Sequence, residues 1–186
     1  MRIVAGQYRG RHFDVPRSFK ARPTTDFAKE NIFNVLRSHI DFEDDAPRAL
    51  DLFAGTGSIT LELLSRGCSS VTAVELDNAH VRMIQQFVRT LGADNAIILK
   101  ADALRYIQRA PATFDFIFAD PPYALPQIPD LPDMVLGAQG LLAPEGLFVL
   151  EHGSDNDFSA HPALIDHRSY GSVNFSLFKG QTVRHS

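Results

Sequence analysis

At 186 residues, with a net charge of −4 and 45% hydrophobic and 22% charged residues, the chain has the composition of one globular domain with a real core. No apolar run approaches the roughly 18 residues of a membrane span, and no signal-peptide core opens the sequence. The single cysteine, Cys68, excludes a disulfide framework and fits a reducing, cytoplasmic compartment, with a buried thiol its expected role.

Charge is uneven along the chain. Residues 1–22 hold Arg2, Arg9, Arg11, Arg17, Lys20 and Arg22 against Asp14 alone, a local balance of +5 that leaves −9 for the remainder. A basic patch for a polyanion and a merely solvated face both fit that asymmetry. Over residues 2–16 apolar and polar positions alternate around Gly6 and Gly10, which predicts a β-hairpin closed by Pro16. Pro23 keeps Arg22 extended, and Thr24, Thr25 or Asp26 can cap a helix whose apolar face is Phe27, Ala28, Ile32, Phe33, Val35, Leu36 and Ile40.

The next stretch, Ala49-Leu-Asp-Leu-Phe-Ala-Gly-Thr-Gly-Ser58, reads as strand, tight turn and helix start. Gly55 and Gly57 permit a sharp turn and close approach of a ligand, and the helix N-terminus behind them offers unpaired N–H groups. A dinucleotide fingerprint would have a third glycine where Thr60 stands. Asp51, a carboxylate among Leu50, Leu52 and Phe53, needs a donor or a cation; a pyrophosphate would repel it.

From Arg48 onward, strands and helices alternate. Strands are predicted at Val71–Val74, Ala96–Leu99, Phe114–Ala119 and Gly146–Leu150, and helices at Asp77–Leu91, Asp102–Arg109 and Met134–Leu142. Leu164–Arg168 and Val173–Phe178 form a closing pair, with an antiparallel hairpin expected near the C-terminus. The alternation predicts an α/β fold, a doubly wound, mostly parallel Rossmann-like sheet, in one domain spanning 1–186: a basic hairpin extension (1–22), a connecting helix (23–46) and a core (47–186).

In such sheets a ligand lies beyond the carboxyl ends of the strands. Asp51 closes the first strand, Glu75 the second, 20 residues after Gly55, and Asp102 follows the third. Each acid alone could be a helix cap; three in register point to a nucleoside cofactor. Asp120-Pro-Pro-Tyr123 follows directly on the apolar strand Phe116–Ala119, with an acid, two stiffening prolines and an aromatic face together. The seven histidines show no ligand-like spacing with cysteine or carboxylates, so no metal site is expected.

The segment Asp51–Ser58 resembles the S-adenosylmethionine (AdoMet) loop of class I methyltransferases, and Asp120–Tyr123 resembles the [Asp/Asn]-Pro-Pro-[Tyr/Phe] signature of enzymes that methylate exocyclic amines of bases. With Arg2–Arg11, Arg22-Pro-Thr-Thr-Asp26, Glu30–Asn34 and Arg168–Gly171, nearly the whole chain is similar to the bacterial family that methylates guanine N2 in 16S ribosomal RNA. Phe27 stands where that family usually has a basic residue, and Phe87 where it often has asparagine. The resemblance implies AdoMet as cofactor, held by Asp51, Phe53, Gly55, Gly57, Glu75, Leu76, Asp102, Ala103 and Asp120. It implies catalysis by Asp120, Pro121, Pro122 and Tyr123, with RNA contacts from Arg9, Arg11, Arg22 and Thr24. The expected partner is 16S rRNA in a small-subunit particle, met by a cytoplasmic monomer. Asp-Pro-Pro-Tyr also fits an adenine-N6 methyltransferase on DNA or RNA, and a non-catalytic RNA-binding module on the same fold is a third reading.

Overall fold

A computed structural model describes residues 1–19, 24–109 and 111–182. Seven strands form one sheet in the order β3-β2-β1-β4-β5-β7-β6. The strands are β1 (Arg48–Leu52), β2 (Ser70–Glu75), β3 (Ala96–Lys100), β4 (Phe114–Ala119), β5 (Leu142–His152), β6 (Leu164–Tyr170) and β7 (Val173–Lys179). The first five run parallel; β7 pairs antiparallel with both β5 and β6, as the closing hairpin predicts.

Five helices cover the two faces: α1 (Asp26–Leu36), α2 (Ser58–Arg66), α3 (Asn78–Leu91), α4 (Ala103–Arg109) and α5 (Leu131–Gly137). Strand alternation sorts the core into two layers. Ala49, Val71, Ala73, Phe116, Phe118 and Val149 pack with α1, α2 and α3. Leu50, Leu52, Val74, Ile117, Phe148 and Leu150 pack with α4 and α5. Central strands buried on both faces explain their near-continuous apolar runs.

The caps follow the side chains. Thr25 accepts from the Ala28 N–H at the start of α1, and Asp77 from the His80 N–H at the start of α3. Phe27 departs from the expected apolar face: it lies in the first turn of α1, 67% exposed, with its ring edge-on to Tyr170. The helix expected at Met134–Leu142 starts and ends earlier. Pro129 and Pro132 sit in the first turns of a short 3₁₀ segment (Ile128–Asp130) and of α5, where a missing N–H costs nothing. Ala138 is extended and ends the helix, and Leu142 already belongs to β5.

The N-terminal hairpin reduces to a single antiparallel bridge, Arg2 to His12, flanked by backbone bonds from Ile3 N–H to Arg11 O and Phe13 N–H to Met1 O. Gly10 N–H also returns to Ile3 O, but other donors leave the hairpin. The Val4 and Ala5 N–H groups bond the carboxylate of Glu62 on α2, and Tyr8 N–H bonds Ser65 Oγ. Glu62 is fully buried and also takes Arg66 at 2.9 Å and Lys29 at 3.4 Å; Lys29 Nζ donates to Arg2 O and Ser58 Oγ. Burial holds the Lys29 ammonium below its ordinary pKa, while Glu62 and Asp26 pull the other way. This buried ionic knot fastens the N-terminal segment to α1 and α2, the helix that carries the glycine loop.

Candidate active site

The carboxyl ends of β1 to β5 open on one cavity of about 890 Å³. It straddles the switch point between β1 and β4, where a doubly wound sheet leaves its crevice. Asp51, Phe53, Gly55, Glu75, Leu76, Asp102, Ala103, Asp120, Pro121, Pro122 and Tyr123 all line it. The sheet thereby brings together acids that lie far apart in the chain.

Asp51 is buried between β1 and α2 and accepts from Thr60 Oγ1 at 2.6 Å. Burial pushes its carboxyl up to about 7; the Thr60 bond pulls down and the Glu75 charge pushes up. Phe53 turns the chain out of β1 at φ 59, the left-handed region that non-glycine residues seldom adopt. A strained residue of this kind is held by its surroundings and belongs to sites where backbone shape matters. Glu75 steadies the same loop: one oxygen accepts from Gly55 N–H at 2.6 Å, the other from Asp77 N–H at 3.0 Å. His80 Nδ1 lies 3.7 Å from Glu75, on the cavity wall, buried and without a hydrogen-bond partner. Asp102 accepts from Arg105 N–H in the first turn of α4. Leu76 is 63% exposed at the rim.

Gly57 makes the expected sharp turn and has a packing reason besides. It precedes α2 at φ 81, and a Cβ there would stand 2.9 Å from Ile84 Cγ1, so glycine serves the turn and the packing of α2 on α3. It is absent from the cavity lining, unlike Gly55.

Across the cavity, the prolines carry Tyr123 back over the sheet edge. Its hydroxyl donates to Glu151 Oε1 at 3.3 Å, and a Cβ on Gly153 would stand 3.2 Å from the ring. Thr24 Oγ1 donates to Glu151 Oε2 at 3.0 Å, so Thr24 faces the cavity from the approach to α1. Sequence reasoning missed Glu151. The signal was present: an apolar run, Leu147–Leu150, ending in an acid, as with Asp120 after Phe116–Ala119.

The expected RNA contacts separate. Arg9 and Arg11 are exposed and lie outside the cavity lining. Arg11 Nη2 donates to Thr90 O at the C-terminal turn of α3, a helix of 14 residues and about 21 Å whose other end lines the cavity. Arg22 lies outside the described residues. Cys68 is buried, its thiol pushed up to about 12 by that burial, so it is no nucleophile. Among the described residues no group of three His, Cys, Asp or Glu could hold a metal ion, and no helix is long and apolar enough to cross a membrane.

Known proteins resemble this chain in sequence and fold. The ribosomal RNA small subunit methyltransferase D of Escherichia coli K12 is 34% identical over 182 residues, covering 96% of this chain and 89% of the relative. The solved structure of yhhF from Escherichia coli superposes with a TM-score of 0.82 at 30% identity, covering 98% of both chains. The Thermus thermophilus 16S rRNA N2 G1207 methyltransferase RsmC, solved with AdoMet and guanosine, shares the fold at a TM-score of 0.68 and 21% identity, over 88% of this chain and 45% of that one. The family described as Conserved hypothetical protein 95 matches residues 1–179. With the class I methyltransferase sheet and a whole-length relative in hand, the chain belongs to the Conserved hypothetical protein 95 family, as a relative of the small-subunit rRNA methyltransferases D.

Proposed function

We propose that this protein is an AdoMet-dependent methyltransferase acting on the exocyclic N2 amine of a guanine in 16S ribosomal RNA. One observation carries the reading: the Asp120–Tyr123 motif and the strand-end acids Asp51, Glu75 and Asp102 share a single cavity. The relative of 34% identity is named for small-subunit ribosomal RNA.

The residues present fit the cofactor. Asp51, pushed toward its neutral form by burial, is a group that a nearby cation would return to the charged state. The orphaned His80 Nδ1 beside Glu75 suits a ligand with hydroxyls of its own. Glu75 would accept from the ribose hydroxyls, and Asp102 from the adenine amino group with Leu76 and Ala103 against the ring; Asp51, Phe53 and Gly55 would shape the amino-acid end. AdoMet supplies a methyl group on a sulfonium, ready for attack by a weak nucleophile.

An aromatic amine is such a nucleophile, because its lone pair is delocalised into the ring. Asp120 and a carbonyl of the proline-stiffened turn accept its two N–H bonds, which aims the nitrogen and favours its tetrahedral form. As the nitrogen gains positive charge, the Asp120 carboxylate stabilises it, so no strong base is required. Tyr123 gives the extracted base a stacking face. Arg9, Arg11 and Arg22 bind phosphates. Thr24, bonded to Glu151 in the cavity, serves the target end of the RNA. The acidic remainder of the chain favours a folded small-subunit particle over naked RNA, met by a cytoplasmic monomer working as one domain.

Incubation with labelled AdoMet and unmethylated small-subunit particles, followed by nucleoside analysis, tests the reading. N2-methylguanosine is the expected product. N6-methyladenosine, or no transfer to RNA, overturns it.

A further inference from the structure

We infer that Phe27, steadied by Tyr170, is a stacking platform for an unpaired RNA base next to the target nucleotide; this rests on the RNA methyltransferase reading above. An exposed apolar side chain by itself means little. Phe27 is set apart by where it stands and by how it is held.

Its place follows from two elements that meet at one edge of the sheet. Thr24 lines the cavity and donates to Glu151 Oε2 near the end of β5. Phe27 comes three residues later, so the chain allows at most about 11 Å between their Cα atoms. From the other side, Glu151 lies opposite Phe175 and His152 opposite Asn174 in the β5–β7 pair. The β6–β7 turn therefore projects past the carboxyl end of β5, the edge on which the cavity opens. Tyr170 flanks that turn, opposite Val173.

The Phe27 and Tyr170 rings stand at 90°, with centroids 6.2 Å apart. Tyr170 leans in turn on the fully buried Phe175, at 6.0 Å. In a perpendicular pair one ring turns its edge to the other, so in either arrangement Phe27 keeps a face clear of Tyr170. That ring is 67% exposed. A fixed aromatic ring beside positive charge is how proteins hold single-stranded nucleic acid, because every base has a π-face. The charge is at hand: Arg2 pairs at 3.4 Å with Asp26, next to Phe27, and is itself half exposed. Drawing the target base into the cavity also unstacks its neighbour, which then needs a new partner. Tyr123 serves the target inside the cavity, and Phe27, outside the lining, serves the neighbour.

The test measures binding of small-subunit particles, which needs no methyl transfer. Phe27→Ala should weaken binding by about tenfold with an unchanged salt slope, because a stacked base is lost and no phosphate contact is. Phe27→Trp should bind as the wild type does, while Phe27→Leu, apolar but without a π-face, should behave as Phe27→Ala. AdoMet affinity and melting temperature should stay close to wild-type values. Particles with an abasic nucleotide on one or the other side of the methylated guanine then identify the base. One of the two should cost the wild type about tenfold and cost Phe27→Ala nothing further. Wild-type binding by Phe27→Ala overturns the inference. So does a Phe27→Ala loss that adds fully to both abasic losses, since the ring then meets a protein of the particle instead of a base. A wild-type enzyme that makes no N2-methylguanosine overturns the function itself, and the binding of Phe27→Ala and Phe27→Leu against the wild type still decides the platform.

Discussion

Thr60 Oγ1 donates to Asp51 Oδ2 across 2.6 Å, and this bond is the main support for a carboxyl that is only 1% exposed. The position that lacks a dinucleotide-type glycine thus supplies the hydroxyl that makes a buried acid tolerable. Burial still dominates and lifts the Asp51 pKa from 3.8 to about 7.

The sign of the pH dependence follows. A folded pKa above the unfolded one means the folded protein holds a proton that the unfolded chain has released. The associated stability is full below about 3.8 and is lost as pH rises through about 7. Thermal melts of the ligand-free wild type, referenced to Asp51→Asn, should therefore fall across that window. AdoMet affinity should move oppositely, rising between pH 6 and 8 as the proton leaves to make room for a cation. Calorimetry in buffers of different ionisation enthalpy should show proton release on binding below about pH 7. Binding without proton release separates Asp51 from the cofactor's cation.

Asp120 is expected to orient the target amine and to stabilise the charge that develops on it. Asp120→Ala should lower kcat by about 10²-fold or more, as removal of a preorganised partner commonly does. Asp120→Asn keeps an acceptor and should retain part of the activity. Tyr123→Ala should raise KM for the particle through loss of the stacking face, and Tyr123→Phe should be milder. Single-turnover methylation reads all four; a folded Asp120→Ala at the wild-type rate reduces the motif to a turn.

The Lys29–Glu62–Arg66 knot should be worth more to stability than to catalysis. Lys29→Ala leaves a fully buried Glu62 with one cation fewer and should destabilise by about 3–5 kcal/mol, the usual cost of breaking a buried pair. Because Lys29 also holds Arg2 O, the N-terminal segment should loosen with it, and limited trypsin digestion should cut sooner at Arg9 or Arg11. Denaturant melts that match the wild type would show the knot to be dispensable.

Arg11 sits at the end of α3 away from the cavity and neither it nor Arg9 lines the cavity, so their effect should be on capture rather than chemistry. The double variant Arg9→Ala, Arg11→Ala should weaken particle binding and reduce the salt slope by roughly one to two. AdoMet affinity should be unchanged. Undiminished binding at every salt concentration would leave these charges as solvent-facing, with Arg11 merely capping α3 through Thr90 O.

Much of the site was legible because its signals are local. An apolar run followed by an acid marks Asp51, Glu75 and Asp120 as strand ends, and alternation of strands with amphipathic helices implies a sheet whose ends converge. The glycine turn and the proline-stiffened motif likewise depend on neighbours in sequence. Phe27 shows the limit even locally: a residue in a helix's first turn has no preceding turn to fix its side, and its apolarity pointed to the wrong face.

The element order, the parallel core with its antiparallel finish, and the strand-end acids and Asp-Pro-Pro-Tyr motif that line the cavity were all legible in the sequence. Their partners were not, because packing sets them. Thr24 and Glu151 are 127 residues apart and meet because the approach to α1 and the carboxyl end of β5 face the same cavity. Val4 and Ala5 find Glu62, rather than a partner strand, because α1 and α2 bury that carboxylate beneath the N-terminal segment. Gly57 must be glycine because Ile84, on another helix, fills the space a side chain would need. Periodicity reports which way a side chain faces along its own element; what it faces is set by packing, where each buried donor and acceptor must find a partner among whatever the fold brings near.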